Sequence, residues 1–208
     1  MSMEEKQNFQ TYQDFDTTIY PGSEKEVSNL IKKFYKSNLP IEILGTGSKK
    51  KIGKSIQCAK SLNLSKLKGI IEYLPEELYI KVKAGTPIQE IEEKLKKNKQ
   101  QLAFEPIDFG FFLNSKSDYG SAAGQVACNI SGSRRFKTGS VRDHILGFRG
   151  VNGKGEIIKS GGVVVKNVTG YDLSKLICGS YGTLAALTEI TFKVLPSPEE
   201  SKTLTIHN

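Results

Sequence analysis

The sequence predicts an α+β domain of two lobes, and two observations support this fold class. Segments with helical periodicity alternate with short strand-like segments in small units, without the regular strand–helix period of a doubly wound parallel sheet. A length of 208 residues suits one ordinary domain or two small lobes that share a core. We place the lobes at about 18–72 and 73–197, with a break between 69 and 84, an N-terminal tail over 1–17 and a C-terminal tail over 198–208.

The first lobe is predicted to begin with a helix and a short buried strand. In "SEKEVSNLIKKFYKSN", Ser23 and Glu26 have the spacing of a capping box, and apolar residues follow on one helical face: Val27, Leu30, Ile31 and Phe34. "PIEIL" is typical of a buried strand and ends at the glycine-rich "GTGSKKKIG". A pair of strands is predicted around "IIEYL" and "LYIKVKAG", with Pro75 in the turn between them.

The rest of the chain predicts a second helix, a hairpin, a short helix and a last strand. Thr86 is expected to cap the helix of "TPIQEIEEKLKKNKQ", with Pro87 at its first position. "HILGFRGVNGKGEIIKSGG" is typical of a hairpin closed by "NGKG". "DLSKLICG" predicts a short helix that begins after Asp172 and ends at Gly179, and "TLAALTEITFKVLP" predicts a strand that Pro196 ends.

The composition excludes several classes of protein. No apolar run approaches the roughly 18 residues of a membrane-spanning helix, and the polar start does not resemble a signal peptide. Cys58, Cys128 and Cys178 are odd in number and widely spaced, which argues against a disulfide framework and against zinc or iron–sulfur ligation. His144 and His207 do not suffice for a catalytic triad or a metal site. We therefore expect a reduced, cytoplasmic protein without a bound metal or a transmembrane segment.

The net charge of +8 raises the alternative of a nucleic-acid-binding protein, because clustered Lys and Arg neutralise phosphates. Most of the excess is lysine, spread over helix faces such as "EKLKKNKQQ" and mixed with glutamate. No recognised nucleic-acid-binding motif accompanies it. Solvated lysine-rich faces are the favoured interpretation, and no nucleic-acid partner is predicted.

Two glycine-rich loops follow strand-like segments in the first half of the chain. In "ILGTGSKK", Gly45 and Gly47 allow successive N–H groups to turn toward an anion, although a plain turn after a strand is an open alternative. The nearby "GKS" is not a nucleotide-binding P-loop, because that motif needs glycine five residues before Gly53 and Ser48 stands there. In "KAGTPIQE", a structural turn at Gly85 suffices.

Two further segments are unusually rich in small residues. "GSAAGQVACNISGSRRFK", residues 120–137, leaves room for a large flat ligand, or for tight packing of a helix on a strand. "KNVTGYDLSKLICGSYGTLAALTE" contains Gly170, Gly179 and Gly182, each of which alone suggests only a turn. Four such segments in one chain favour a shared, extended cofactor.

Together these segments resemble a known family. "VKNVTGYDLSKLICGSYGTLAALTEITFKVLP" and "GSAAGQVACNISGSRRFKTGSVRDHILGFRGVNGKGEII" are similar to the PCMH-type FAD-binding domain of the vanillyl-alcohol-oxidase superfamily. "ILGTGSKKKIG", "VKAGTPIQEIEEKL" and "LAFEPIDFG" fit its earlier segments in the right order, so the similarity spans about residues 18–197. Within the superfamily, the first loop looks like that of the FAD-binding subunit of glycolate oxidase. The longer "RGxGTGxSGG" loop expected of the catalytic subunit is absent.

The resemblance implies a set of cofactor-binding residues. Backbone donors of the first loop would hold the pyrophosphate of FAD: Gly45, Thr46, Gly47, Ser48 and Lys49. The small-residue segment would line the cofactor: Ser117, Gly120, Ser121, Gly124, Cys128, Asn129, Ser131 and Gly132. Positions near the adenine or flavin ring would be Gly139, Val141, Gly182, Thr183 and Ile190. Because the first loop has no histidine to which flavin could be attached, we expect FAD to bind noncovalently.

The function implied is that of an FAD-binding subunit in a glycolate oxidase-like 2-hydroxy-acid dehydrogenase complex. Its expected partners are a catalytic flavoprotein subunit and an iron–sulfur subunit, which would also account for any peripheral attachment to a membrane. Family members continue into a cap domain, whereas this sequence ends at "SPEESKTLTIHN", so we expect a domain without the cap. A non-catalytic structural or electron-relay flavin module is the alternative. No catalytic residue is predicted. Arg134 and Arg135 could bind a carboxylate or an FAD phosphate, and an ordinary surface role is the equal alternative.

Overall fold

The computed structural model describes residues 18–52, 56–113, 119–162 and 171–205. These residues form two β-sheets, seven α-helices and two short 3₁₀-helices, Leu64–Lys66 and Pro75–Glu77, which confirms the predicted α+β class. The chain passes from the first sheet to the second between Asn63 and Ile70. No helix among the described residues is long and apolar enough to cross a membrane.

The first sheet is small and parallel. It contains β1 (Thr18–Ile19), β2 (Ile41–Leu44) and β3 (Lys60–Asn63) in the order β1-β3-β2, so β2 is an outer strand. Helix α1 (Glu24–Lys36) begins as predicted, because the Ser23 hydroxyl accepts a hydrogen bond from the N–H of Glu26. The predicted capping box is only half formed, since the Glu26 carboxylate accepts its bond from Gly22.

The second sheet is larger, and all its pairings are antiparallel. Its strands are β4 (Ile70–Leu74), β5 (Tyr79–Lys83), β6 (Gln100–Leu102), β7 (Ile145–Asn152), β8 (Ile157–Gly161) and β9 (Ala185–Pro196). The order is β4-β5-β9-β7-β8, and β6 pairs with the end of β9. The pair β4–β5, the hairpin β7–β8 and the last strand β9 confirm three predictions from the sequence.

Short helices connect and cover this sheet: α2 (Ile88–Lys96), α3 (Phe109–Phe112), α4 (Ala122–Cys128), α5 (Arg135–Thr138), α6 (Val141–His144) and α7 (Leu173–Ile177). The prediction that Thr86 caps α2 was wrong. The N-cap is Pro87, and no side chain caps the helix. The buried Thr86 hydroxyl instead donates to the carbonyl of Lys83 and accepts from the N–H of Gly69, because the second sheet supplies better-placed partners. Helix α7 begins at Asp172 as predicted.

The apolar side chains form two clusters. The larger lies between the second sheet and helices α2, α4, α6 and α7, with Phe104, Ile190 and Phe192 among its fully buried members. The smaller joins α1 and the first sheet, and it also includes Val151 of β7 and Ala186 of β9. The first sheet therefore completes its core with residues of the second.

Candidate functional site

A cavity of about 310 Å³ lies between the first sheet and the second. One side consists of β2 and the loop that follows it. The other consists of α4 and the start of β9. Because β2 is an outer strand, all four of its residues reach the cavity. The cavity is therefore bounded by both sheets. Its shape depends on the apolar contacts of α1 with β7 and β9, which set the position of one sheet on the other.

The loop after β2 presents backbone donors to this cavity. Gly47 has a φ of +81°, and a Cβ there would meet no atom within 4 Å. The N–H of Lys50 donates to the carbonyl of Gly47 at 3.0 Å and thereby closes a turn. The N–H groups of Thr46, Gly47 and Ser48 donate to no other described residue. Consecutive N–H groups of this kind favour the binding of an anion.

Two lysines of the loop have different surroundings. The Nζ of Lys49 lies 3.4 Å from Oγ of Ser48 and 5.4 Å from the ring centroid of Phe109. A Cβ at Gly120 would lie 2.7 Å from the same Nζ, so the glycine leaves space for the ammonium group. The Nζ of Lys50 lies 3.1 Å from the buried carboxylate of Glu42. The positive charge of Lys50 is therefore compensated by an acidic neighbour on β2.

Helix α4 supplies a flat surface of small residues opposite the loop. The N-cap Ser121 accepts a bond from the N–H of Gly124, and a Cβ at Gly45 would overlap the Ser121 hydroxyl. Four residues of α4 line the cavity, Ala123, Gly124, Ala127 and Cys128, while the opposite side is buried in the larger core. The packing interpretation of this segment is therefore confirmed for the buried side of the helix, and the ligand interpretation of the other side stays a prediction.

Two of the cysteines, Cys128 at the cavity and Cys178 beside the larger core, are not activated. Burial raises the pKa of the Cys128 thiol, and the nearby Lys49 opposes this effect only in part. Burial raises the pKa of Cys178 to about 12. Both thiols therefore stay protonated at neutral pH, and a protonated thiol is a poor nucleophile.

The structure brings together ten of the residues predicted from the sequence. Those that line the cavity are Gly45, Thr46, Gly47, Ser48, Lys49, Ser121, Gly124, Cys128, Gly182 and Thr183. Gly120 adjoins it through Lys49. Ser117 lies outside the described residues. The remaining predicted residues do not line this cavity: Asn129, Ser131, Gly132, Gly139, Val141 and Ile190.

Local structure accounts for most of those six positions. Asn129 has a φ of 48° at the end of α4, and its side chain accepts from the N–H of Arg142. The Ser131 hydroxyl accepts from the N–H of Val141, and a Cβ at Gly132 would overlap Glu105. Val141 and Ile190 are fully buried in the larger core. Their contact with a cofactor stays a prediction.

Several cavity residues were not predicted from the sequence. They include the whole of β2 with Glu42, together with Lys50, Ala84, Tyr181 and Leu187. The one available signal was a glutamate within the otherwise apolar "IEIL", because a charged residue in a buried strand needs a partner. That partner is Lys50, with the Ser61 hydroxyl donating to the same carboxylate oxygen at 2.9 Å.

An α+β domain with an anion-binding loop and a small-residue helix across one cavity has the features of a nucleotide-cofactor-binding domain. Residues 15–161 match the sequence profile of a family described as "FAD binding domain", and the chain belongs to that family. Its cofactor is FAD. The resemblance found in the sequence is thereby confirmed.

Similarity to several named oxidoreductases agrees with this family assignment. The chain is 43% identical over 165 residues to glycolate oxidase subunit GlcE of Escherichia coli (strain K12), covering 79% of this chain and 45% of that protein. It is 30% identical over 196 residues to D-lactate dehydrogenase of Anaerostipes hadrus, covering 92% and 38%. It is 30% identical over 190 residues to glycolate oxidase subunit GlcD of Bacillus subtilis (strain 168), covering 91% and 39%. The chain thus spans less than half the length of these relatives.

A solved structure supports the fold. Alkyldihydroxyacetonephosphate synthase superposes with a TM-score of 0.68 at 22% sequence identity, covering 88% of this chain and 32% of that one. At this identity the match concerns the fold alone.

Proposed function

We propose that the chain is the FAD-binding part of a glycolate oxidase-type enzyme, which oxidises a 2-hydroxy acid together with partner polypeptides. The observation that supports this most is the 43% identity to glycolate oxidase subunit GlcE. D-lactate dehydrogenase and GlcD at 30% identity indicate the same class of small hydroxy-acid substrate. The proposed partners are a catalytic flavoprotein subunit and an iron–sulfur subunit.

The cavity residues fit the proposed cofactor. The N–H groups of Thr46, Gly47 and Ser48, which donate to no other described residue, suit the two negative charges of the diphosphate, and the ammonium group of Lys49 lies beside them. The small residues of α4 leave space for the extended remainder of the molecule. A volume of about 310 Å³ is at the low end for a ligand site, so FAD would also extend beyond this cavity.

The flavin, when bound, accepts a hydride from the carbon that bears the hydroxyl group and passes the electrons on. The chain's own residues bind and orient it. Burial keeps the Cys128 thiol protonated, and no histidine is found among the described cavity residues. These two observations support noncovalent binding of FAD. We assign no catalytic residue to the described chain. The groups that bind the substrate are proposed to lie outside it, for example on a partner subunit.

Reconstitution with FAD tests the proposal. We expect the purified chain to retain FAD through gel filtration, to show flavin absorbance, and to release intact FAD on acid denaturation. FAD should bind more tightly than FMN or riboflavin, because only FAD carries the diphosphate that the loop after β2 would bind. A folded chain that retains no flavin would overturn the proposal.

Activity with partners tests the substrate class. We expect glycolate- or D-lactate-dependent dye reduction only when the chain is co-produced with the other subunits of its complex. Hydroxy-acid oxidation by the chain alone would overturn the assignment of the substrate site to other polypeptide. No reduction with either acid in the assembled complex would overturn the substrate class while leaving the FAD site intact.

A further inference from the structure

An aromatic side chain next to the two arginines of "GSRRFK" is fully exposed. Phe136, in the middle of α5, has no part of its ring covered, whereas Phe104 and Phe192 are buried in the larger core. Arg134, Arg135 and Lys137 on either side are also exposed. None of these four residues lines the cavity between the sheets. The cavity therefore gives no account of them.

This exposed segment is held in place by several hydrogen bonds. The Glu105 carboxylate accepts from the Ser133 hydroxyl at 3.0 Å and from the N–H of Arg134 at 3.1 Å. The Thr138 hydroxyl donates to the carbonyl of Arg134, and Nε2 of the buried His144 lies 2.6 Å from the carbonyl of Thr138. A fixed backbone lowers the entropy lost when a neighbouring molecule packs on it.

The charge around Phe136 is mainly positive. Arg142, exposed on α6, adds to the three basic residues, and Lys175 of α7 donates to the carbonyl of Arg142. Two acidic groups that adjoin these residues, Asp143 in sequence and Glu105 by hydrogen bond, have partners of their own. Asp143 accepts from the N–H and hydroxyl of Ser140, and Glu105 bonds to the segment itself. We call the residues Arg134–Lys137 with Arg142 the basic aromatic surface.

We propose that the basic aromatic surface docks a protein partner with an acidic rim around an apolar pocket that receives Phe136. Exposed Arg and aromatic side chains are the residue types that dominate binding at protein interfaces. Complementary charge on the partner would orient and accelerate the encounter. The proposal rests on the proposed function in one respect, namely that the chain works with partner polypeptides.

A protein partner fits this surface better than an anionic membrane does. One exposed ring on a four-residue helix offers little apolar area for insertion, whereas interfacial membrane helices present a long apolar face. An interface needs only a few aromatic and arginine anchors within a larger contact.

Two variants and a matched control test the surface in the cells that naturally make the protein. Phe136→Ala removes the anchor, and Arg134→Glu with Arg135→Glu reverses the charge. Lys96→Glu with Lys97→Glu makes the same change of charge on exposed residues at the end of α2. Each tagged full-length chain is purified, and the stoichiometry of its co-purifying polypeptides is measured by mass spectrometry.

We expect both surface variants to lower partner retention at least about tenfold and the α2 control to leave it unchanged. Their FAD content should equal that of the unaltered chain, because none of the changed residues lines the cavity. Retention of partners by both surface variants at the unaltered level would overturn the docking surface.

Photo-crosslinking identifies what lies against the ring. With Phe136→p-benzoylphenylalanine, we expect crosslinks to a partner peptide that contains apolar residues next to Asp or Glu. Crosslinks to lipid, or binding to vesicles of phosphatidylcholine and phosphatidylglycerol that the surface variants lose, would assign the surface to a membrane and overturn the proposal.

The outcomes separate this proposal from the function on which it rests. If the unaltered chain co-purifies with no polypeptide, the subunit function fails, and the docking surface fails with it. If the unaltered chain retains its partners and the surface variants retain them equally well, the subunit function stands and the docking surface is wrong. If the surface variants lose FAD together with their partners, the α5 segment contributes to the cofactor site and the docking surface is wrong.

Discussion

The two sheets differ in how far each can stabilise itself. The second has six antiparallel strands over a cluster of buried residues drawn from helices α2, α4, α6 and α7. The first has three short parallel strands, and its smaller cluster includes Val151 and Ala186 of the other sheet. Parallel strands are usually covered on both faces and pair slightly less stably. The first sheet therefore depends on the second for part of its apolar core, and the cavity lies at the boundary between them.

Polar contacts join the two lobes beside the apolar cluster. The Arg149 guanidinium on β7 binds the Glu24 carboxylate of α1 through two nitrogens, at 2.7 and 3.2 Å. The Thr188 hydroxyl on β9 donates to the same carboxylate, and the Ser28 hydroxyl donates to the carbonyl of Gly155 in the β7–β8 turn. The orientation of α1 on the second sheet thus depends on a few hydrogen bonds, and a single substitution can remove each of them.

The largest expected effect comes from Gly85→Ala. Its Cβ would overlap the carbonyl oxygen of Leu64 and approach that of Leu67, both in the first lobe's core. Backbone atoms cannot move aside as a side chain can, so we expect a loss of about 3 kcal/mol in the free energy of unfolding, measured with denaturant. Gly153→Ala is the control, because a Cβ there meets nothing within 4 Å. An equal effect of the two changes would contradict the tight approach of the lobes.

Arg149→Met should have an intermediate effect. It leaves the partly buried Glu24 carboxylate without its guanidinium partner, at a cost of about 1–2 kcal/mol after allowance for solvent screening. Lys202→Met is the control, because the Lys202–Glu200 pair is exposed on both sides. A thermal or denaturant unfolding curve for each variant measures the difference, and equal losses would show that the bond between the lobes adds nothing.

The same contact predicts a dependence of stability on pH. Burial by itself raises the pKa of Glu24, but hydrogen bonds from Arg149 and Thr188 outweigh it and hold the pKa below the ordinary 4.5. A carboxylate with a lowered folded-state pKa stabilises the protein above its unfolded pKa, and this contribution is lost as pH falls below about 4.5. Arg149→Met should therefore reduce the loss of stability between pH 5 and pH 3, measured by denaturant titration at each pH.

The smallest effect on stability is expected for Gly47→Ala, although it should change the cofactor site. A Cβ at a φ of +81° costs about 1 kcal/mol even in open space. We expect FAD affinity, measured by fluorescence titration, to fall about tenfold because the N–H groups of the loop turn away. Gly69→Ala provides the control, because it also has a positive φ and open space but lies outside the cavity. If both variants bind FAD equally, the loop does not hold the diphosphate.

Elements defined by local pattern could be predicted from the sequence. Helix α1 follows from apolar spacing, and the β7–β8 hairpin follows from its turn residues. Features that depend on distant partners could not. The Thr86 hydroxyl bonds Gly69, 17 positions away, and this bond overrides the cap that the local sequence suggests. Glu42 reaches the cavity because β2 is an outer strand of the first sheet. The position of β2 in the sheet results from its parallel pairing with β3, and the local sequence "IEIL" does not reveal it.

Strand β9 has a consequence for how the protein is made. It is the last strand of the described chain, and it pairs with β5, β6 and β7. During synthesis, β4–β5 and β7–β8 leave the ribosome as separate hairpins, and they cannot join into one sheet until residues 185–196 emerge. The Gly182–Thr183 side of the cavity emerges just before them. Under the proposed FAD site, the cofactor binds only after nearly the whole described chain has emerged. A nascent chain that stops before β9 holds two hairpins without the strand that joins them, and such unpaired strand edges are prone to aggregation.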